Sequence, residues 1–247
     1  MAERTNGPSV VLVHGAFADA SSWNGVITRL KANGVSVTAP ANPLRGIAAD
    51  SAYTASVFAQ IEGPVLAVGH SYGGAVITNA ATEARNVVGL VYVAAFAPDE
   101  GETLGAATPT SKDSVLNSAL VARTYPAGDG GSATEFYIDP AKAREAFASD
   151  VPDEQAALIA ATQRPVAEAA FSEPNGPPAW KHLPSWAVVA TADKAAGTDL
   201  VRSMAERAGA TITELDGSHV IMVSQPQAVT EVILEAVAAV ASAPVGA

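Results

Sequence analysis

The segment Gly69-His70-Ser71-Tyr72-Gly73 constrains the fold more than any other part of this 247-residue chain. It places a serine between two glycines, directly after the apolar run 64–68 and before a stretch rich in small residues at 73–81. This pattern predicts a buried strand followed by a helix. At such a turn the serine backbone is strained, and glycines two positions away let neighbouring segments approach closely. The turn lifts the side chain of Ser71 clear of the sheet, which makes Ser71 a candidate nucleophile.

Composition limits the classes of partner. A hydrophobic content of 49% is enough for a continuous core in one large α/β domain. The formal net charge of −11 argues against nucleic acid and against an anionic membrane surface as partners. The absence of cysteine excludes disulfides, thiolate metal sites and a cysteine nucleophile. The four histidines show no metal-ligand spacing, so we expect no metal and no other cofactor.

The first residues, Met1–Asn6, are polar and run directly into the first predicted strand, so we expect no secretory signal. Residues 64–81 lack charge, but a proline, paired glycines and a His-Ser step interrupt them, unlike a membrane span. The sequence therefore predicts a cytoplasmic protein. Nothing in the residues indicates an oligomeric state.

Strand-like and helix-like segments alternate along most of the chain, which predicts a mostly parallel sheet of six strands with helices on both faces. The alternation fails between Pro98 and Pro184, where glycine and proline clusters separate helical stretches near 140–148 and 153–162. This stretch is too long for a loop, and we predict a helical cap at the carboxyl edge of the sheet. The predicted division is a core of residues 1–97 and 185–247, with the cap, 98–184, inserted between them.

A serine hydroxyl becomes nucleophilic when a histidine accepts its proton and a carboxylate orients that histidine. His219 lies in a loop between the last predicted strand and the last predicted helix, at the same sheet edge as Ser71. Asp193 follows a strand end, from which it can reach behind the imidazole. Asp99 occupies the other edge position and is the main rival for this role. Asp216, only three residues before His219, is more typical of a turn.

A tetrahedral intermediate needs donors for its oxyanion, and two backbone N–H groups are the usual source. Tyr72 supplies one, because it follows the candidate nucleophile at the start of a predicted helix. The loop after the first strand is expected to supply the other. In that loop Gly15 permits the required bend, and Ala16 is the predicted donor.

The remaining residues near these strand ends are assigned structural or pocket roles. We interpret His14 as a hydrogen-bonding structural residue, and His70 as support for the turn at Ser71. Phe17 and Phe96 follow strand ends and are predicted to line the substrate pocket. In the cap, aromatic side chains are predicted to enclose a small or medium apolar group, with packing the more common role for each: Tyr125, Phe136, Tyr137, Phe147, Phe171 and Trp180.

Motifs in both halves of the core are shared with a known family: Val11–Ala16, Trp23, GHSYGG at 69–74, Val91–Asp99, Thr191–Lys194 and Ser218–Pro226. On these motifs the chain resembles the α/β-hydrolases, and among them the branch of plant methyl esterases and hydroxynitrile lyases. The resemblance implies the α/β-hydrolase fold, a catalytic triad and an oxyanion hole. The residues it implies are Ser71, Asp193 and His219 for the triad and Ala16 and Tyr72 for the oxyanion hole.

The chain departs from parts of that family. Hydroxynitrile lyases of the branch carry a threonine in place of Gly15 and a lysine in place of Val220, so cyanohydrin cleavage is disfavoured. A serine at position 71 also argues against haloalkane dehalogenases and epoxide hydrolases, which use an aspartate there. After Lys194 the family often has an isoleucine-proline pair, where this chain has Ala195-Ala196-Gly197.

The sequence therefore predicts a cofactor-independent serine hydrolase that cleaves carboxylic esters of small to medium size through an acyl-enzyme on Ser71. Two alternatives stay open. The same triad could serve carbon–carbon bond hydrolysis or cofactor-free perhydrolase chemistry, or the chain could be a ligand receptor with vestigial hydrolysis. The identity of the small-molecule substrate stays open, because side chains at unknown depth give no pocket dimensions.

Overall fold

The computed structural model describes residues 7–128 and 130–242. The start of the chain, where the sequence predicts no secretory signal, lies outside these residues. The described strands are β1 (Ser9–Val13), β2 (Val37–Thr38), β3 (Val65–His70), β4 (Val87–Val93), β5 (Leu120–Pro126), β6 (Ser132–Ile138), β7 (Val166–Ala167), β8 (Ser185–Ala190) and β9 (Thr211–Leu215). The described α-helices are α1 (Asn24–Ala32), α2 (Ile47–Ala59), α3 (Tyr72–Glu83), α4 (Leu104–Ala107), α5 (Leu116–Ala119), α6 (Pro140–Phe147), α7 (Asp153–Thr162), α8 (Ala169–Ser172), α9 (Thr198–Arg207), α10 (Ile221–Ser224) and α11 (Pro226–Ser242). No described helix has both the length and the apolar character needed to cross a membrane.

Six strands form one parallel sheet in the order β2-β1-β3-β4-β8-β9. The strand that precedes Ser71, β3, lies in the interior of this sheet between β1 and β4, and all six of its residues are buried. Burial on both faces explains why this strand is a continuous apolar run rather than an alternating one. The predicted α/β class and six-stranded parallel sheet are confirmed.

Alternate residues of β1 enter two separate cores, one on each face of the sheet. Val11 and Val13 pack with α2, α3 and residues of the segment after β4. Val10 and Leu12 pack on the opposite face with α1 and α11. Successive side chains of a strand point to opposite faces, so one short strand anchors both helical layers. Each fully buried side chain of this size contributes about 1.5–3 kcal/mol.

The strand order reverses between β1 and β3. From β1 the chain moves outward to β2, and then crosses back to β3 and continues in the other direction. At such a switch point the loops after the two strands diverge and leave a crevice at the carboxyl edge of the sheet, where ligands of open α/β folds bind. Residues 14–17 follow β1 and Ser71 follows β3, so both lie at this crevice.

The inserted segment, residues 98–184, lies between β4 and β8. It contains the helices α6 and α7 close to the predicted bounds, together with the short helices α4, α5 and α8. It also contains an antiparallel sheet of β5, β6 and β7, which the prediction of a helical cap did not include. Most side chains of β5 are exposed, so this strand lacks the alternation of buried residues that would identify it in the sequence.

Candidate active site

Ser71 lies in a tight turn between β3 and α3. Its backbone has φ 52° and ψ −123°, a conformation that non-glycine residues rarely adopt. A Cβ on Gly69 would lie 2.5 Å from the Gly73 carbonyl oxygen, and a Cβ on Gly73 would lie 2.4 Å from the Val13 carbonyl oxygen. Both positions therefore require glycine, for the reason inferred from the sequence. The Ser71 carbonyl oxygen accepts hydrogen bonds from the Gly74 and Phe96 N–H groups, at 2.9 Å and 3.2 Å, which hold the turn in place.

His219 and Asp193 form a buried pair at the same edge of the sheet. The distance from His219 Nδ1 to Asp193 Oδ2 is 2.8 Å, and both residues are 1% exposed. A carboxylate can only accept, so Nδ1 carries a hydrogen, and in the neutral imidazole Nε2 then keeps a lone pair. This is the tautomer that a general base toward a serine hydroxyl requires.

The second carboxylate oxygen of Asp193 is held by its own loop. Asp193 Oδ1 accepts hydrogen bonds from the backbone N–H groups of Ala195 and Ala196, at 2.9 Å and 3.0 Å. These alanines stand where the family often has an isoleucine-proline pair. Because proline has no N–H to donate, the Ala-Ala pair supplies a donor that an isoleucine-proline pair lacks.

Ser71 and His219 line the same small cavity. Among the described residues, the Ser71 hydroxyl has no hydrogen-bond partner, so the two side chains are adjacent but not bonded. In unliganded enzymes such contacts are often long and tighten only when substrate binds. A serine hydroxyl, an oriented imidazole and a carboxylate therefore lie next to one another in this order.

The two backbone N–H groups predicted for the oxyanion belong to residues that line this cavity, Ala16 and Tyr72. Tyr72 is the first residue of α3, where N–H groups have no partner within the helix and the helix dipole favours negative charge. Within the described part of the chain, neither N–H has a hydrogen-bond partner. Both are free to donate to an oxygen that enters the cavity.

Gly15 lies against the turn at Ser71. A Cβ at this position would lie 2.6 Å from Ser71 Cβ and 2.9 Å from the His70 carbonyl oxygen. The threonine that hydroxynitrile lyases carry here would therefore displace the turn itself in this protein. The local geometry agrees with the prediction that cyanohydrin cleavage is disfavoured.

The other two histidines near the site are buried, and His14 uses both ring nitrogens, whereas His70 Nδ1 has no hydrogen-bond partner among the described residues. His14 Nδ1 donates to the Gly15 carbonyl oxygen at 2.9 Å, and its Nε2 accepts from the Asn42 N–H at 3.0 Å. Burial lowers the pKa of His14 to about 4. Burial also lowers the pKa of His70, whose Nε2 donates to the His219 carbonyl oxygen at 2.9 Å. The His70 ring lies 4.7 Å from the His219 ring, so His70 supports the histidine loop as well as the serine turn.

The two rival carboxylates face elsewhere. Asp99 Oδ1 lies 2.5 Å from Lys181 Nζ at the protein surface, and this hydrogen bond is the main cause of the lowered pKa of Asp99. Asp216 is exposed and accepts a hydrogen bond from the Thr191 hydroxyl at 3.2 Å. Only Asp193, among these three carboxylates, lies against His219.

Apolar side chains close the cavity beside Ser71. Phe17 and Phe96, the two predicted pocket residues, line it together with Leu116, Phe147 and Phe171 of the inserted segment. The Phe147 ring lies 5.0 Å from the His219 ring and packs edge-on against Phe17 at 6.2 Å. The cavity volume is about 10 Å³, room for about one water molecule.

The other predicted cap aromatics lie away from Ser71. Phe136 borders a neighbouring groove, Tyr125 and Tyr137 stack with arginines, and Trp180 Nε1 donates to the Pro98 carbonyl oxygen at 3.1 Å. Leu116 carries no signal in the sequence, because a helix of four residues leaves no periodicity. Asp150, which accepts hydrogen bonds from the loop of His219, carries none either, because its partners are remote in sequence. Among the described residues, no three histidine or carboxylate side chains are grouped in a way that could hold a metal ion.

Comparison with known proteins adds a family and a fold. The model of the Alpha/beta hydrolase family matches residues 10–232. No curated protein matches the chain. Three similar solved structures share the fold at low identity. Polyneuridine aldehyde esterase is 21% identical with a TM-score of 0.79, over 93% of this chain and 99% of that one. The pyrethroid hydrolase PytH is 22% identical with a TM-score of 0.72, over 96% and 99%. The methylesterase protein MES16 from Arabidopsis is 21% identical with a TM-score of 0.76, over 94% and 99%.

Proposed function

Since the chain belongs to the alpha/beta hydrolase family, we propose that it is a serine hydrolase that cleaves carboxylic esters through an acyl-enzyme on Ser71. The observation that carries the proposal is the 2.8 Å contact between His219 Nδ1 and Asp193 Oδ2, at the edge of the cavity that Ser71 lines. An oriented imidazole beside a serine on a strained turn is the arrangement that acyl transfer requires. Three similar structures bear the names of an esterase, a pyrethroid hydrolase and a methylesterase, which supports the same reaction class.

In this mechanism Ser71 Oγ attacks the ester carbonyl carbon while His219 Nε2 accepts the hydroxyl proton. Asp193 stabilises the imidazolium, and the N–H groups of Ala16 and Tyr72 donate to the oxyanion. Collapse of the intermediate breaks the bond to the alcohol, which takes the proton from His219. A water molecule then attacks the acyl-enzyme by the same route and releases the carboxylic acid. Loss of one oxyanion donor typically lowers kcat by about two to three orders of magnitude.

The walls of the cavity favour an uncharged substrate. Its contacts are mainly aromatic or alkyl, and no aspartate, glutamate, lysine or arginine side chain lines it among the described residues. At about 10 Å³ it is too small for an ester, so side chains of the inserted segment must move before substrate enters. Two larger grooves border it, of about 390 Å³ and about 510 Å³. Space of this size fits the expectation of a small to medium substrate once a wall side chain rotates.

The test combines a fluorophosphonate probe with a panel of p-nitrophenyl esters. We expect the wild-type protein to be labelled, Ser71→Ala to be unlabelled, and kcat/KM to fall by about a thousandfold or more in that variant. Ser56→Ala is the matched control, because Ser56 is exposed on α2 and, within the described residues, its hydroxyl bonds only to the Tyr53 carbonyl oxygen. Labelling or ester turnover that survives in Ser71→Ala would contradict the proposal.

The same experiment separates the alternatives. Slow ester turnover beside rapid cleavage of a diketone, or rapid peroxide chemistry, would assign the triad to another reaction. Tight stoichiometric ligand binding without turnover would indicate a receptor. The absence of a cofactor, the lack of a nucleic acid or membrane partner, and the cytoplasmic location stay predictions of the sequence.

A further inference from the structure

Asp150 binds the loop that carries His219 at residues before and after the histidine in the chain. Its Oδ2 accepts hydrogen bonds from the Ser218 N–H at 2.8 Å and from the Ser224 hydroxyl at 2.7 Å. Its Oδ1 accepts from the Ser218 hydroxyl. Ser218 directly precedes His219, and Ser224 lies at the end of the short helix α10 that follows it. One carboxylate therefore spans the histidine loop.

Asp150 belongs to the inserted segment, whereas the polar partners of His219 itself, Asp193 and His70, belong to the core. It follows α6 by three residues, and Phe147, the last residue of that helix, lies against the His219 ring. A Cβ on Gly217 would lie 2.7 Å from Asp150 Oδ2, which shows how closely the carboxylate approaches the loop backbone. Asp193 and His70 hold His219 from the core side. The imidazole is thus fixed between core and inserted segment.

The contacts of Asp150 do not serve core packing. The residue is exposed, and among the described residues it forms no ion pair with a lysine or arginine. All three of its side-chain hydrogen bonds go to residues 218 and 224. A carboxylate that accepts from three donors on one loop restricts the movement of that loop.

We propose that Asp150 is a positioning residue for His219: it ties the histidine loop, residues 216–225, to the inserted segment, so that the imidazole is held for proton transfer only while that segment is seated. The inference rests on the proposed function. Side chains of the inserted segment move to admit substrate, and meanwhile Asp150 keeps the histidine loop fixed to that segment. A displacement of about 1 Å in a catalytic group can lower the rate by about a hundredfold.

The first test compares Asp150→Ala with Asp139→Ala. Asp139 caps the start of α6, where its side chain accepts from the Ala141 N–H at 3.0 Å, so its loss weakens the same helix without touching the histidine loop. We expect kcat for p-nitrophenyl acetate to fall about 10- to 100-fold in Asp150→Ala with KM within about twofold. In Asp139→Ala we expect kcat within about twofold. Equal kcat values in the two variants would overturn the positioning role.

The second test measures hydrogen exchange of the peptide covering residues 216–225. We expect faster exchange of this peptide in Asp150→Ala and unchanged exchange in Asp139→Ala, since only the former loses the loop contacts. This readout does not depend on turnover, so it tests the contact separately from the proposed function. Unchanged exchange in Asp150→Ala would overturn the inference. An unlabelled wild-type protein, in contrast, would contradict the proposed function alone.

Asp150→Asn is the conservative variant. Its amide oxygen can replace Oδ2 and accept from the Ser218 N–H and the Ser224 hydroxyl. Its NH₂ group then faces the Ser218 hydroxyl, which can accept from it and donate to the Phe147 carbonyl oxygen, 3.4 Å away. We expect kcat within about fivefold of the wild type, because the contacts persist as weaker neutral hydrogen bonds. A loss as large as that of Asp150→Ala would contradict this geometry.

Discussion

At the scale of single residues, the site combines a strained serine with histidines kept neutral by burial. The strain at Ser71, of the order of 1–3 kcal/mol for such backbone conformations, is offset by the hydrogen bonds that its carbonyl oxygen accepts. His14 and His70 lie on either side of the turn, and their rings are held by backbone partners. A positive charge on either ring would disturb the elements that present Ser71 and His219.

This burial predicts how stability depends on pH. The pKa of His14 is about 4 in the folded protein and about 6.5 when the chain is unfolded. The unfolded chain therefore binds more protons between these values, and acid favours unfolding. Lowering the pH from about 7.5 to about 5.5 should remove about 1 kcal/mol of the free energy of unfolding through His14 alone. His70, whose pKa is lowered in the same direction, adds to this loss.

Urea unfolding at several pH values measures how the free energy of unfolding changes with pH. NMR of the imidazole protons assigns this change to individual histidines. We expect His14 and His70 to show no titration between about pH 5.5 and about pH 8. Replacing the exposed His182 with glutamine removes its signals and simplifies that assignment. Titration of His14 near its ordinary pKa, or stability that does not change over this range, would show the prediction to be wrong.

At the scale of elements, the start of α3 is tied to the start of α2 through side chains. The Tyr72 hydroxyl donates to Asp50 Oδ2 at 2.7 Å, and both residues are buried. Burial raises the pKa of Asp50, whose carboxylate also accepts from the Arg45 N–H at 3.0 Å. The contact joins the first residue of α3 to α2 through its side chain, while the backbone bonds at Ser71 hold the turn that carries the N–H proposed for the oxyanion.

Tyr72→Phe separates this structural contact from the proposed catalytic N–H. We expect the variant to lose about 1–3 kcal/mol of stability, because a buried carboxylate loses a donor. Its kcat should stay within about threefold, since the backbone N–H is unchanged. Tyr92→Phe is the matched control: Tyr92 is buried, and its hydroxyl bonds to the neutral Thr78 hydroxyl at 2.8 Å. A kcat loss above about a hundredfold at unchanged stability would assign the role to the Tyr72 side chain instead.

The sequence predicts these elements best where local pattern and tertiary environment agree. The apolar run before Ser71 and its glycines leave few alternatives, because each glycine meets backbone atoms of another segment. The edge position of Asp193 follows from its place just after the end of a strand, but its contact with His219 depends on the course of its loop. Asp150 had no signal at all, since its hydrogen bonds join residues 68 to 74 positions apart. The edge of the sheet at which a residue lies can be read from a sequence, whereas contacts between distant loops cannot.

At the scale of the whole molecule, the inserted segment both closes the site and holds part of it. Leu116 and Phe171 separate the cavity at Ser71 from one groove, and Phe17 and Phe147 separate it from another. Phe147 also contacts His219, so movement on that side disturbs the candidate base. Movement of Leu116 or Phe171 opens the first groove and leaves the His219 contacts in place. We therefore expect the acyl chain of the ester to lie in the first groove.

Filling each groove in turn tests this expectation. Leu120 lines the first groove and Ile159 the second, and both are partly buried. We expect Leu120→Trp to lower kcat/KM for p-nitrophenyl octanoate about 15-fold relative to the acetate, since excluding two methylenes costs about 1.6 kcal/mol. Ile159→Trp should leave the ratio of the two esters within about twofold. The reverse result would place the acyl chain in the second groove, beside Phe147. Entry of substrate there would also break the contact between Phe147 and His219.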